Sequence, residues 1–204
     1  GADAVYLGGP QFGARYSAEN FTIEEMKTWV DYCHLYGVDV HVTVNTLVKE
    51  KEIESLKEYL KQLNEIGVDA LIVQDMGAVE IIKKTVPDMT LHASTQMTVT
   101  SLEGVKYLED MGFSRVVLAR ELSEKEIEHI CKNAKAEIEV FVHGAICMCY
   151  SGQCLMSSIL GGRSGNRGRC AQPCRLPYDL LENGKTVKSG YVLSPKDMAL
   201  VNDL

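Results

Sequence analysis

Five of the chain's seven cysteines lie close together near its C-terminal end, at Cys147, Cys149, Cys154, Cys170 and Cys174. Thiolates gathered on a glycine-rich loop are ligands for iron–sulfur clusters, because nearby backbone amides offset the charge on the sulfurs. Zinc would accept the same sulfurs, and buried cysteines without any ligand are a third interpretation. Because so many thiols share so short a segment, we expect a metal group here and favour a 4Fe–4S cluster over zinc.

A basic stretch, RSGNRGR, lies between Cys154 and Cys170. Its Arg163, Asn166 and Arg167 are candidate cofactor-binding residues, because arginine side chains and glycine amides together bind phosphate or carboxylate groups. The same positive charges could instead neutralise a cluster or contact RNA.

Polar side chains also follow the predicted strands. The candidate catalytic residues are His92, Arg120, Glu121 and His143, each at or near the carboxyl end of a strand. A histidine there can act as an acid or a base, and an arginine can hold a carboxylate in a bidentate contact. The alternatives are an internal ion pair for Arg120 and Glu121 and a structural role for the histidines.

The overall charge limits the class of protein. The 204 residues carry a net charge of −7, with a pI of about 5.3. This argues against a protein coated with positive charge to bind nucleic acid, but leaves room for a local basic patch. No apolar run approaches the ~20 residues of a membrane helix, and the first residues have the pattern of a strand rather than a signal peptide. An odd number of clustered cysteines indicates reduced thiols, so we expect a cytoplasmic protein without a membrane partner.

Short apolar runs alternate with amphipathic stretches along the first 144 residues, as expected for parallel strands joined by helices. Thr22 and Glu25 have the spacing of a capping box. The predicted strands are Ala4–Gly8, Val38–Val44, Ala70–Val73, Thr90–Ala93, Arg115–Ala119 and Ile138–Val142, and the predicted helices are Thr22–Tyr36, Glu52–Ile66, Gly77–Val86, Ser101–Met111 and Ser123–Ala134.

Polar residues follow each of these strands instead of clustering at one switch point. This favours a TIM-like (β/α)8 barrel over an open doubly wound sheet, both of the α/β class. About six barrel strands lie in the chain, so we expect an incomplete barrel that lacks one strand at each end. Since the chain does not begin with Met, we interpret it as a piece of a longer protein. The missing strands or a partner subunit would then cover the open sheet edges.

Residues 1–144 are the predicted barrel portion, and residues 145–204 form a second region. That region begins with a Cys-rich loop, residues 145–175. A hairpin follows, with strands Tyr178–Glu182 and Lys185–Leu193 around an Asn183–Gly184 turn. Ser194 and Pro195 are predicted to begin a last helix.

Several motifs resemble those of the U32 collagenase-like peptidase family. They are GADAVYLGG at the start, VTVNT at 42–46, EVFVHGAIC at 139–147, GQCLMS at 152–157, NRGRCAQPCR at 166–175 and LSPKD at 193–197. The resemblance implies an oxygen-sensitive 4Fe–4S cluster and hydroxylation without molecular oxygen. The implied targets are a tRNA wobble uridine, a ribosomal RNA cytidine or the ubiquinone ring, with a prephenate-type hydroxyl donor in the RNA branches. The segment GGRSGNRGRCAQPCR resembles the sequences of the RNA-modifying branches more than those of the quinone branch.

The resemblance also implies four cysteine ligands. Cys147, Cys154 and Cys170 match three of them by position, whereas Ala199 occupies the usual place of the fourth, after LSPKD. Cys174 or Cys149 could replace it, the ligand could lie outside this chain, or this member binds no cluster. We take Cys174 as the fourth ligand.

We therefore expect the core of an O2-independent RNA-base hydroxylase. Its expected partners are tRNA or rRNA and a small dicarboxylate of the prephenate type. The first alternative is a collagenase-like peptidase, for which Cys149 with His143 is a conceivable nucleophile–base pair. The sequence contains no HExxH or GxSxG motif that would independently support proteolysis. The second alternative is a non-catalytic scaffold that carries a cluster.

Overall fold

The computed structural model describes residues 1–200 of the chain. Six parallel strands lie side by side in chain order in one sheet. A doubly wound sheet would reverse its strand order at a switch point, so this topology confirms six strands of an incomplete (β/α)8 barrel. The strands are β1 (Ala4–Gly8), β2 (Asp39–Val44), β3 (Ala70–Val73), β4 (Thr90–Ala93), β5 (Arg115–Val117) and β6 (Glu137–Glu139).

Helices connect the strands of this sheet: α1 (Ile23–Leu35), α2 (Ile53–Glu65), α3 (Met76–Thr85), α4 (Leu102–Asp110) and α5 (Glu124–Asn133). The predicted capping box at the start of α1 is confirmed, because Thr22 Oγ1 accepts a hydrogen bond from the amide of Glu25 and the Glu25 carboxylate accepts one from the amide of Thr22. Within residues 1–200, no helix is long and apolar enough to span a membrane.

Strand residues alternate between the apolar core and the barrel interior. Val40, Val42 and Val44 belong to the core that lies between the sheet and the helices. The intervening His41 and Thr43 face the interior, where the ring of His41 lies 4.5 Å from that of another strand histidine, and Thr43 lines a cavity. The helices thus support the back of the sheet, and the inner face is left for polar side chains.

Both edges of the sheet are open in the described part of the chain. There, β1 pairs only with β2, and β6 only with β5. Tyr6 in β1 is 67% exposed as a result. A closed barrel covers such edges with further strands.

Beyond β6 the chain forms β7 (His143–Gly144), α6 (Met156–Gly161), β8 (Tyr178–Glu182), β9 (Lys185–Gly190) and β10 (Met198–Ala199). The antiparallel pair β8 and β9 confirms the predicted hairpin, although its second strand ends at Gly190. Asn183 and Gly184 have φ angles of 50° and 78°, the left-handed conformation that a type I′ turn requires.

Two local predictions are corrected. The strand predicted at Ile138–Val142 ends at Glu139 as β6, and the chain then turns into β7. The helix predicted from Ser194 and Pro195 is not formed within residues 1–200. Instead, β10 pairs with β7, and Ser194 Oγ accepts a 2.6 Å hydrogen bond from Arg175 Nη1. These long-range contacts override the local helical pattern, and the remainder of that prediction lies outside the described residues.

Candidate active site at the barrel mouth

A cavity of about 430 Å³ lies at the carboxyl ends of the strands, where (β/α) barrels place their sites. The barrel rim and the Cys-rich loop both contribute to its walls, so the loop lies over the barrel mouth. The rim contributes Gly8, Thr43, Asn45, Ser94, Thr95, Gln96, Arg120, Glu139 and Phe141, and the loop contributes Cys147, Tyr150, Gly152, Cys154, Gly165, Asn166 and Cys170.

Three of the four predicted cluster ligands lie at this cavity. Cys147, Cys154 and Cys170 line it directly. Burial, followed by the charges of Cys147 and Cys170, raises the pKa of Cys174, and the charge of Arg175 opposes this shift. Burial also raises the pKa of Cys149, followed by the charge of Cys154 and a hydrogen bond with that thiol.

A zinc ion and an iron–sulfur cluster are both held by thiolates. Within residues 1–200, no three His, Cys, Asp or Glu side chains stand close enough to hold one metal ion. A zinc ion would require its sulfur ligands at about 2.3 Å. Cys147, Cys154 and Cys170 line the cavity and would be the thiols available to hold a cluster.

Ser151 joins the Cys-rich loop to the barrel rim. It is fully buried, and its Oγ accepts a 3.1 Å hydrogen bond from Arg120 Nε and donates one of 3.2 Å to Glu121 Oε2. Its amide donates to Glu121 Oε1 at 3.1 Å, and its carbonyl accepts from Thr98 Oγ1 at 2.6 Å. The polar groups of this buried serine are therefore all paired. Arg120 and Glu121 meet through Ser151 and form no direct ion pair within the described chain.

Two glycines allow the loop to lie directly on the rim. A Cβ at Gly152 would lie 2.1 Å from the carbonyl oxygen of Gln96, and a Cβ at Gly168 would lie 2.4 Å from that of Gly13. Both glycines also have positive φ angles, which other residues rarely adopt. A larger residue at either position would push the loop away from the cavity.

Arg167, a predicted cofactor-binding residue, forms a structural contact with Glu52 and Leu47. Its guanidinium donates to both carboxylate oxygens of Glu52, at 3.0 and 2.6 Å, and to the carbonyl of Leu47 at 2.7 Å. The contact with Arg167 holds the pKa of Glu52 below its ordinary value. The basic stretch is therefore tied to the start of α2. Arg163 is exposed and does not line the cavity, whereas Asn166 does.

His92 lies below the rim, inside the barrel wall. It is 4% exposed, and it does not line the cavity. Its ring packs edge-on against that of His41, with 4.5 Å between the centroids. Burial, followed by the charges of His41 and Arg115, lowers the pKa of His92 to about 4, so the ring is neutral at pH 7. Its Nδ1 has no hydrogen-bond partner among residues 1–200.

The other predicted catalytic residues fall in different places. Arg120 lines the cavity. Glu121 does not, because Ser151 holds its carboxylate. His143 is exposed in β7 and borders a second, small pocket of about 40 Å³, which Arg120 also lines. The structure thus brings Arg120, but not the other three, to the cavity with the cysteines.

Sequence reasoning did not identify Ser151, Tyr150 or Arg15. Arg15 lies in the β1–α1 loop and lines the cavity, and Tyr150 lines it with its side chain 62% exposed. No local pattern marks a serine or an arginine in a loop as functional. The position of Tyr150 and Ser151 between Cys149 and Gly152 is the one signal that could have drawn attention to them.

Residues 1–204 match the model of peptidase family U32. The chain belongs to this family. The U32 peptidase Mk0906 has the same fold, with a TM-score of 0.58 and 21% identity over 70% of this chain and 62% of that one.

Curated relatives within the family carry different names. The chain is 47% identical to the 23S rRNA 5-hydroxycytidine C2501 synthase of Escherichia coli, over 97% of this chain and 30% of that protein. It is 38% identical to the tRNA hydroxylation protein P1 of Bacillus subtilis, over 100% of this chain and 50% of that protein. It is 32% identical to the collagenase of Porphyromonas gingivalis, over 99% of this chain and 52% of that protein. The chain thus spans about half the length of these relatives or less.

Proposed function

We propose that this chain is the cluster-binding core of a U32 enzyme that hydroxylates a base of tRNA or rRNA without molecular oxygen. The observation that carries the proposal is the presence of Cys147, Cys154 and Cys170 together on the wall of the barrel cavity. Relatives named for RNA hydroxylation, at 47% and 38% identity, support RNA as the substrate class.

The four thiolates would hold a 4Fe–4S cluster, which supplies one-electron chemistry when bound. We take Cys174 as the fourth ligand, because it follows Cys170 by four positions in the same loop. Cys149 is in hydrogen-bond contact with Cys154. Cys149 would then lie beside the metal group without binding it.

The remaining cavity residues would bind the reactants. A cavity of about 430 Å³ is large enough for a small molecule or one extruded base. Arg15 and Arg120 provide positive charge for the carboxylates of a prephenate-type donor. The exposed ring of Tyr150 provides a surface on which an RNA base stacks. Asn166 and Gln96 provide amide groups for hydrogen bonds to either ligand.

The geometry gives the peptidase alternative little support. A cysteine nucleophile needs a lowered pKa or an adjacent base, whereas the pKa of Cys149 is raised by burial. His143 forms no hydrogen bond with Cys149 within the described residues and borders a different pocket.

The proposal is tested on the full-length parent protein, purified without oxygen. We expect iron and sulfide in a ratio that fits a 4Fe–4S cluster, and hydroxylated bases in RNA from cells that produce the protein but not from cells that lack it. Zinc in place of iron, or unchanged RNA, would contradict the proposal. Gelatin cleavage by the purified protein would favour the peptidase.

Single serine variants then test the ligand set. Cys174→Ser should lose most of the iron, whereas the matched variant Cys149→Ser should keep it. The reverse result would move the fourth ligand to Cys149.

A further inference from the structure

We infer that Ser151 is a positioning residue that directs the guanidinium of Arg120 toward the thiolate-lined cavity. From there the positive charge of Arg120 raises the reduction potential of the cluster. This inference rests on the proposed function, because it requires that the cysteines hold a cluster.

The hydrogen bonds of Ser151 separate the opposite charges of Arg120 and Glu121. The Glu121 carboxylate accepts from both the amide and the hydroxyl of Ser151, at 3.1 and 3.2 Å, and does not line the cavity. The Arg120 Nε donates to the same hydroxyl at 3.1 Å. Within residues 1–200, neither Nη atom of Arg120 donates a hydrogen bond, and no carboxylate forms a salt bridge with it. The positive charge is therefore not neutralised by a direct ion pair.

Arg120 shares the cavity wall with the thiols. It lines the cavity together with Cys147, Cys154 and Cys170. Its side chain is only partly exposed, whereas the other cavity arginine, Arg15, is exposed. Water and salt screen an exposed charge more strongly than a partly buried one. Of the two arginines that line the cavity, Arg120 is thus expected to have the stronger effect on a group bound by the thiolates. Arg175 does not line the cavity, although its charge acts on Cys174.

The direction of that effect follows from charge alone. Four thiolates give the site a negative charge, and reduction adds one electron without removing any charge. A nearby cation stabilises the reduced state more than the oxidised state, so it raises the reduction potential. Arg120 depends on Ser151 for its orientation, since the hydroxyl of Ser151 is the partner of its Nε.

The test is an anaerobic titration with dithionite on the iron-loaded, full-length protein, followed by its visible spectrum and electron paramagnetic resonance. We expect Arg120→Gln to shift the midpoint potential to more negative values. Arg120→Lys keeps the charge and should shift it less. Ser151→Ala should shift it in the same direction as Arg120→Gln, by a smaller amount. Lys106→Gln removes one positive charge from the exposed face of α4 and should leave the potential unchanged.

Iron content and circular dichroism show which variants are folded and loaded. An unchanged potential in loaded Arg120→Gln would overturn the inference and leave Arg120 as a ligand contact only. Equal shifts in Arg120→Lys and Arg120→Gln would also overturn it, because the charge would not be the cause. A wild-type protein without a cluster would refute the proposed function itself. A cluster with an unaffected potential would refute only this inference.

Discussion

The barrel wall, residues 1–142, buries a continuous set of apolar side chains between sheet and helices, whereas the Cys-rich loop contributes no residue to that core. The loop depends on polar contacts. Ser151 joins it to the rim, Arg167 to Glu52, and Arg175 donates to the carbonyl of Ile146 at 2.7 Å. Apolar burial is not directional and stabilises the wall as a whole. Hydrogen bonds have defined geometry, so the few polar contacts position the thiols without adding much stability.

Removing apolar volume from the barrel wall should lower the free energy of unfolding more than any other change proposed here. Leu60 in α2 is fully buried, so Leu60→Ala should cost about 2–5 kcal/mol through lost burial and the cavity left behind. Urea unfolding of the full-length protein measures this. Lys61→Ala, at an exposed position of the same helix, should change stability by less than about 0.5 kcal/mol. Equal losses in the two variants would mean that the wall is not held together by its apolar core.

Breaking a polar contact of the loop should have a smaller and local effect. Arg167→Gln removes the paired hydrogen bonds to Glu52, and we expect it to reduce local stability by about 1–3 kcal/mol. Hydrogen exchange measured by mass spectrometry should show faster exchange around residues 163–170, with the barrel strands unchanged. Arg163→Gln, at an exposed arginine of the same stretch, serves as the control and should exchange like the wild type. Faster exchange in the strands would show that loop and wall unfold as one unit.

Acid should release the same contact, with the smallest effect of the three. The hydrogen bond from Arg167 lowers the pKa of Glu52 below its ordinary value of 4.5. The stabilisation is therefore complete above about pH 4.5 and is lost as the pH falls through the lower pKa of the folded state. Amide hydrogen exchange of residues 163–170, corrected for the intrinsic effect of pH, should become faster in the wild type as the pH falls below about 4.5. In Glu52→Gln this pH dependence should disappear. If it persists, another group controls the loop.

The elements of the wall and the hairpin could be predicted from the sequence, because their signals are local. Alternating apolar runs, the Thr22 capping box and the Asn183–Gly184 turn depend on residues a few positions apart. The helix expected after Pro195 failed because β10 pairs with the distant β7. For the candidate site, the cysteines and Arg120 were found from their spacing and their place after a strand. Arg15 and Ser151 were missed because nothing adjacent to them in the chain signals their contacts.

Residue types and their periodicity determine the order of the elements along the barrel. The clustered cysteines by themselves also indicate the type of chemistry that their thiols can perform. Which charged groups face the cavity depended on folding, because their partners come from remote segments. Arg167 and Glu52 are 115 positions apart, and Arg120 and Ser151 are 31 apart. Two arginines that look alike in the sequence therefore have different roles. Arg167 is paired with the Glu52 carboxylate just before α2, whereas Arg120 lines the cavity and forms no direct ion pair among residues 1–200.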